Sequence, residues 1–294
     1  MKPTITTTLT LQTKEITIRR GSPTVIIGER INPTGRKAVL EALQAGNFER
    51  VRQDAHRQVQ AGAQVLDVNA GVPGTDESQL LPQLIRQVMS VTDVPLSIDT
   101  ANPKALEAAL KAYQGKALVN SVNGEESSLA AVLPLVKEHG TALIALCMDD
   151  DGIPATPEER TAVADKIINR AAQQGIPPED IIIDPLTMAV GSDSKAGWVT
   201  LETIKMIAGE FGVNITIGAS NISFGLPNRE HLNAAFIAMA IQAGVTCPIT
   251  NPLSPDIRTA VLGADLALGR DDYAMRWIKD YRNRSIDPEK PGQI

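Results

Sequence analysis

Residues 142–150 read ALIALCMDD, residues 157–174 read PEERTAVADKIINRAAQQ, and residues 181–185 read IIIDP. The first and third pieces are short and apolar at successive positions, not at alternate ones. That is the pattern of a strand covered on both faces, as parallel strands are. The piece between them carries its apolar residues at helical spacing. Its start is marked by Thr156 as N-cap, Pro157 in the first turn and Glu159 completing a capping box. Gly175 follows it as a stop signal. Strand, helix and strand in this order make one unit of a parallel α/β sheet.

The unit repeats in both directions. Short apolar runs occur at 25–28, 65–68, 96–98, 117–119, 142–146, 181–183, 215–217 and 247–249. Helical periods occupy 46–61, 76–91, 104–113, 125–139, 157–174, 198–211, 229–243 and 255–268. Eight strands, each followed by a helix, predict an α/β chain folded as a single (β/α)8 TIM barrel. A doubly wound sheet is the weaker alternative, because GERINPTG after the first run (residues 28–35) lacks a dinucleotide-type glycine fingerprint. Ahead of the barrel, residues 1–20 alternate threonine with apolar types around a Gln12-Thr13-Lys14 turn, which predicts a β-hairpin. The expected division is therefore a hairpin extension over 1–23, the barrel over 24–284 and a polar tail over 285–294.

The chain has 294 residues, 43% of them hydrophobic and 21% charged, as in ordinary globular proteins. Only 3% are aromatic, with 3 histidines and 2 cysteines. Two cysteines cannot build a disulfide framework, a cysteine-type zinc site or an iron–sulfur cluster. Few aromatics leave no stacking platform for single-stranded nucleic acid, and a formal charge of -6 disfavours a phosphate backbone. No apolar run is long enough for a membrane span and no signal peptide is evident, so a cytoplasmic protein is expected. Cys147 and Cys247 read as small core residues, and His56, His139 and His231 as exposed helix positions.

A barrel builds its site at the C-terminal ends of its strands. The residues there are Glu29, Arg30 and Asn32; Asp67 and Asn69; Asp99 and Thr100; Asn120, Ser121 and Asn123; Cys147, Met148 and Asp149; Asp184; Ser220, Asn221 and Ser223; and Thr250 and Asn251. Aspartate and asparagine dominate, and Arg30 is the one cation. Such residues also cap helices and shape turns. Yet Asp67, Asp99 and Asp184 each follow an apolar run directly, where an unsatisfied carboxylate is costly. Carboxylates accept hydrogen bonds and asparagine does both. The set suits a flat heterocycle with an amidine-like edge and does not suit a phosphate. A magnesium ion on the three aspartates is conceivable but less favoured, and no metal site is expected.

The strand-end segments resemble a known family. They are GERINPTG at 28–35, DVNAG at 67–71, SIDT at 97–100, VNS at 119–121, IDPL at 183–186 and GASNISFGLPNR at 218–229. In this order they resemble the pterin-binding (β/α)8 methyltetrahydrofolate:corrinoid protein methyltransferases and the folate domain of cobalamin-dependent methionine synthase. The resemblance spans residues 24 to 270. It implies that Asp99, Asn120 and Asp184 hold the pterin edge and that Asn221 sits near N5 of the folate. It places Asn32, Asp67, Asn69 and Ser220 in the same cavity. It implies methyltetrahydrofolate or tetrahydrofolate as substrate, a cobalamin carried by a partner corrinoid protein, and a homodimer. Met148 and Phe224 are candidates to flank the ring, and Arg30, Arg36 and Arg229 to meet a glutamate tail.

Two other readings stay open. Dihydropteroate synthase shares the pterin pocket but handles pyrophosphate with a lysine on the seventh strand and an arginine after the eighth. Here those places read Ile217-Gly218-Ala219-Ser220 and Thr250-Asn251-Pro252. A non-catalytic folate-binding protein on the same barrel is the third reading.

Overall fold

The structure is a computed structural model that describes residues 5–285. β1 (Thr6–Leu11) and β2 (Lys14–Arg19) form an antiparallel hairpin, as the threonine alternation predicts. The eight strands that follow are β3 (Ile27–Ile31), β4 (Val65–Asn69), β5 (Leu96–Asp99), β6 (Leu118–Asn123), β7 (Ala142–Leu146), β8 (Ile181–Asp184), β9 (Asn214–Ile215) and β10 (Ile249–Thr250). They are hydrogen-bonded in the order β10-β3-β4-β5-β6-β7-β8-β9, every pair parallel. The ring closes where Gly218 bridges Ile249, whose N–H donates to Ile217 O at 2.9 Å. β9 and β10 are the shortest strands, and Pro248 ahead of β10 has no N–H to extend its ladder.

Helices cover the outside: α1 (Lys37–Gln44), α2 (Glu49–Gln60), α3 (Glu77–Met89), α4 (Pro103–Ala112), α5 (Glu126–His139), α6 (Pro157–Gln173), α7 (Ala196–Glu210), α8 (Arg229–Ala243), α9 (Pro255–Ala267) and α10 (Met275–Ser285). The capping box that starts α6 is present in both directions. Two helices go beyond the sequence expectation. α1 has two turns, no side-chain cap and only Val39 and Leu43 buried, so its apolar stripe is too short to stand out. α10 is highly charged (MRWIKDYRNRS) and ends at Ser285, the first residue of the expected tail. Residues 286–294 of that tail, and residues 1–4 of the extension, lie outside the described residues. Among the described residues no helix is long and apolar enough to cross a membrane.

Strand residues alternate between the barrel interior and the helix layer. The outward set (Leu66, Val68, Leu96, Ile98, Val119, Leu143, Ala145, Ile181, Ile183) packs with the helices in one core. The inward set splits along the barrel axis. Its lower part, Ile27, Val65, Leu118, Ala142, Ile144 and Ile182, is an apolar floor shared with Leu9 and Ile18 of the hairpin. The hairpin therefore seals the N-terminal end of the barrel. Backbone hydrogen bonds from Thr10 N to Lys116 O (3.0 Å) and Gln12 N to Gln114 O (2.9 Å) fix it there. Asn214 Nδ2 adds bonds to Thr7 Oγ1 and Ile18 O, each at 2.9 Å. The approach is close enough that a Cβ on Gly115, at φ +147°, would sit 2.3 Å from Thr10 O.

Candidate functional site

One alternation step above the floor, the inward side chains turn polar. Glu29 follows Ile27, Asp67 follows Val65, Asn120 follows Leu118, and Asp184 follows Ile182. Ser97 and Asp99 supply β5's share. The strands' outward positions stay apolar, so each strand holds its polar tip rigidly against the helix layer.

Asp67, Asp99, Asn69 and Asn120 form one network. Ser97 Oγ donates to Asp67 Oδ1 at 2.7 Å and Asn120 Nδ2 donates to the same oxygen at 3.0 Å. Asn69 Nδ2 donates to Asp99 Oδ2 at 3.0 Å, while its Oδ1 accepts from Gly71 N at 2.8 Å. Burial pushes both carboxyls upward. Asp99 lies well above the usual carboxylate range, because the Asp67 and Glu77 charges add to its burial. A cavity of about 420 Å³ opens beside Asp99, Asn120 and Ser121, between the first turns of α4 and α5.

Asp184 faces this network from β8. Burial pushes its pKa up to about 6, against the opposing pull of the Leu186 N–H and the Arg160 cation. Leu186 N donates to its Oδ1 at 2.8 Å. Arg160, on α6, is itself buried and donates to Pro154 O (3.0 Å), Pro185 O (2.9 Å) and Leu186 O (2.7 Å). It thus pins the loop that carries Asp184 and supplies positive potential without a direct ion pair. Replacing Arg160 with methionine removes that potential. A ligand that donates to the Asp184 carboxylate loses affinity as pH falls through the Asp184 pKa. In Arg160→Met the loss is expected to begin at higher pH, which a pH series of ligand-binding calorimetry measures; an unmoved acid limb would contradict this role.

Ser220 and Asn221 lie on a single 3-10 turn after β9 (Ala219–Ser223), with Asn221 exposed at the mouth. Arg229 staples this turn through Nε to Ser223 Oγ (3.0 Å) and Nη2 to Ser220 O (2.8 Å). Its guanidinium also lies 6.0 Å from the centre of the Phe224 ring, which is 70% exposed on the rim. Ser220 Oγ donates to both carboxylate oxygens of Glu29, at 2.9 and 3.1 Å, which ties the turn to β3 across the barrel closure. Burial raises the Glu29 pKa despite this bond and the Arg30 charge.

The structure brings Asp67, Asp99, Asn69 and Asn120 into direct contact, sets Asp184 inward on β8, and puts Ser220 and Asn221 on the rim. Asn32 follows β3 directly and spends its Oδ1 on Thr34 N (2.9 Å), a turn bond. Arg36 bonds Arg30 O and Asp54, so it is committed inside the loop. Met148 follows β7 as a half-buried rim residue. Cys147 and Cys247 are fully buried, and burial pushes both thiols up. His56 and His231 are exposed on helices, and His139 is half-buried at the end of α5. Among the described residues no three His, Cys, Asp or Glu side chains are placed to hold a metal ion. Sequence reasoning assigned no role to Glu29 or Arg160. Both carry a signal: Glu29 is two residues beyond the inward Ile27, and Arg160 begins the buried stripe that Ala164, Ile167 and Ala171 continue.

A family model described as pterin binding enzyme matches residues 28–251, from the first residue of GERINPTG to the strand-end Asn251. The chain belongs to this family. It is 32% identical over 272 residues to the methylcorrinoid:tetrahydrofolate methyltransferase of Eubacterium limosum, covering 90% of this chain and 98% of that protein. It is 30% identical over 270 residues to the methionine synthase of Mycobacterium tuberculosis, covering 85% of this chain. This pterin-binding barrel thus spans only 23% of that much longer relative. Together these relatives make the chain an enzyme of the family's methyltransferase branch. Among solved structures, the barrel superposes on dihydropteroate synthase from Thermus thermophilus with a TM-score of 0.67, at 24% identity over 89% of this chain and 99% of that one. Dihydropteroate synthase from Yersinia pestis gives 0.68 at 16% identity, over 89% of this chain and 99% of that one. At such identities the likeness shows the TIM-barrel fold alone.

Proposed function

We propose that this enzyme transfers a methyl group between N5 of 5-methyltetrahydrofolate and the cobalt of a corrinoid carried by a partner protein. The observation that carries this reading is the end-to-end match to a methylcorrinoid:tetrahydrofolate methyltransferase. The chemistry of the mouth supports it. The inward polar layer presents carboxylates and amides, which suit the N–H-rich edge of a reduced pterin. Asp184, Asn120 and Asp99 hold that edge. Ser220 and the strand-end Asn32 complete the walls, with Asp67 and Asn69 behind them. Arg30, whose guanidinium makes no hydrogen bond or ion pair among the described residues, is the best placed of the three candidate arginines to meet a glutamate tail.

The corrinoid supplies a cobalt(I) nucleophile, so the protein needs none of its own. Its own task is to orient the pterin and to make N5 a better leaving nitrogen. Asn221 holds the proton at N5 by hydrogen bonding, and Asp184, poised near neutrality, is the group that exchanges it with solvent. The rim residues Phe224, Met188 and Ile153, each at least 40% exposed, form the surface on which the corrinoid protein docks. Dihydropteroate synthase chemistry fits less well, because the turn after β9 carries no lysine and the Arg229 beside it is spent on that turn. The test is anaerobic mixing with free cob(I)alamin and methyltetrahydrofolate. Loss of the cob(I)alamin absorbance supports methyl transfer. Dihydropteroate formation from the pyrophosphate precursor and p-aminobenzoate would support the synthase instead.

The working unit is a homodimer on this reading. Beyond its first turn α8 carries only Asn233 and Gln242 as polar residues. Its outer face borders two grooves, lined by Ala238, Met239, Gln242, Ala264, Leu268 and Trp277, with Met239 55% exposed. A second copy covering this face should sediment as a dimer, and Met239→Glu should sediment as a monomer; a wild-type monomer at micromolar concentration rules the dimer out.

A further inference from the structure

Asp67 and Asp99 stand diagonally on neighbouring strands, since Asp67 pairs with Ser97 and Asn69 with Asp99 in the β4–β5 register. Their carboxyl groups are near enough for the charge on Asp67 to oppose ionisation of Asp99. Ionised carboxylates only accept, so two of them side by side are eased only by a proton between them. The surroundings favour keeping it. Asp67 is 4% exposed. The charged groups facing the pair are Glu29 from β3 and Glu77 from α3, both acidic. The remaining neighbours are the neutral donors Ser97, Asn120 and Asn69. Two like charges so placed oppose each other's ionisation, which favours one proton held between them.

We infer that Asp67 and Asp99 share one proton, and that the anionic oxygen of Asp67 locks the amide of Asn120 with its nitrogen against the wall and its oxygen facing the cavity. Position 120 then reads a ring N–H of the ligand and rejects a ring nitrogen that only accepts. Asn69 spends both ends of its amide inside the protein, so it is a positioning residue for Asp99. This inference rests on the pterin reading and adds a specificity to it. A tetrahydropterin carries ring N–H groups that a fully oxidised pterin has lost. A wall of locked acceptors therefore selects the reduced ring, and Asp67 sets that selection without touching it.

Two measurements test this. The first is the ratio of affinities for tetrahydrofolate and fully oxidised folic acid, by anaerobic calorimetry. The wild type is expected to favour the reduced form by about tenfold or more, the size of one mispaired buried hydrogen bond. Asp67→Asn offers Asn120 a donor or an acceptor, frees its amide to turn, and is expected to bring the ratio within about threefold. A variant that weakens both ligands equally would overturn the inference. The second is infrared spectroscopy of the unliganded protein at pH 8, where Asp184 is ionised. A protonated-carboxyl carbonyl stretch should be present in the wild type and absent from both Asp67→Asn and Asp99→Asn. A wild type without that band, or a band that survives both substitutions, would overturn the shared proton. A wild-type chain that binds neither pterin would defeat the functional reading, and the infrared comparison would still decide the pair.

Discussion

Alanine at position 221 is expected to slow methyl transfer to free cob(I)alamin by about 100-fold, the usual loss when one aligned hydrogen-bonding group is removed from a developing charge. Affinity for methyltetrahydrofolate should change by less than about threefold, because on the proposed reading the pterin edge is held elsewhere, by Asp99, Asn120 and Asp184. The separation follows from the structure. Asn221 stands exposed on a turn whose other fixings, Arg229 to Ser220 O and Ser223 Oγ, and Ser220 to Glu29, do not involve its side chain. Removing the amide should leave the turn in place. Full turnover of Asn221→Ala in stopped-flow absorbance would remove this residue from the mechanism. A parallel fall in affinity would move it to the binding set.

Removing residues 1–20 is expected to abolish the folded state. Leu9 and Ile18 are fully buried in the barrel floor, and Leu11 is buried against the outer core. Truncating one such side chain to alanine costs about 2–5 kcal/mol. Losing all of them, and uncovering Ile27, Val65 and Ile182 as well, is comparable with the whole stability of a domain, about 5–15 kcal/mol. The milder Leu9→Ala should lower the denaturant midpoint with little change in ligand affinity, since Leu9 lies at the end of the barrel away from the mouth. A truncated chain that melts like the full one would show that the floor does not need its plug.

The sequence reading and the structure agree where one period dominates. Continuously apolar runs gave the eight strands, and the capping box at Thr156 marked the start of α6 to the residue. α1 escaped because two turns with two buried residues carry little periodic signal, and α10 because its charges mask its apolar face. At the site, the aspartates were legible because each ends an apolar run. What could not be read was the pairing across strands. That Asn69 serves Asp99, that Asn120 serves Asp67, and that Ser220 reaches Glu29 depend on register and on barrel closure. Neither is written in any single segment. Arg160 was hidden for a related reason: an arginine on a buried helical stripe becomes meaningful only once the loop it pins is in view.

The division of the barrel interior has an evolutionary consequence. Folding rests on the lower inward residues and the outer apolar layer, while the proposed ligand contacts lie on one ring of positions above them. Exchanges within that upper ring alter which groups the mouth offers and leave the scaffold's foundations intact. The groups offered at the mouth can therefore change while the shape of the barrel is kept.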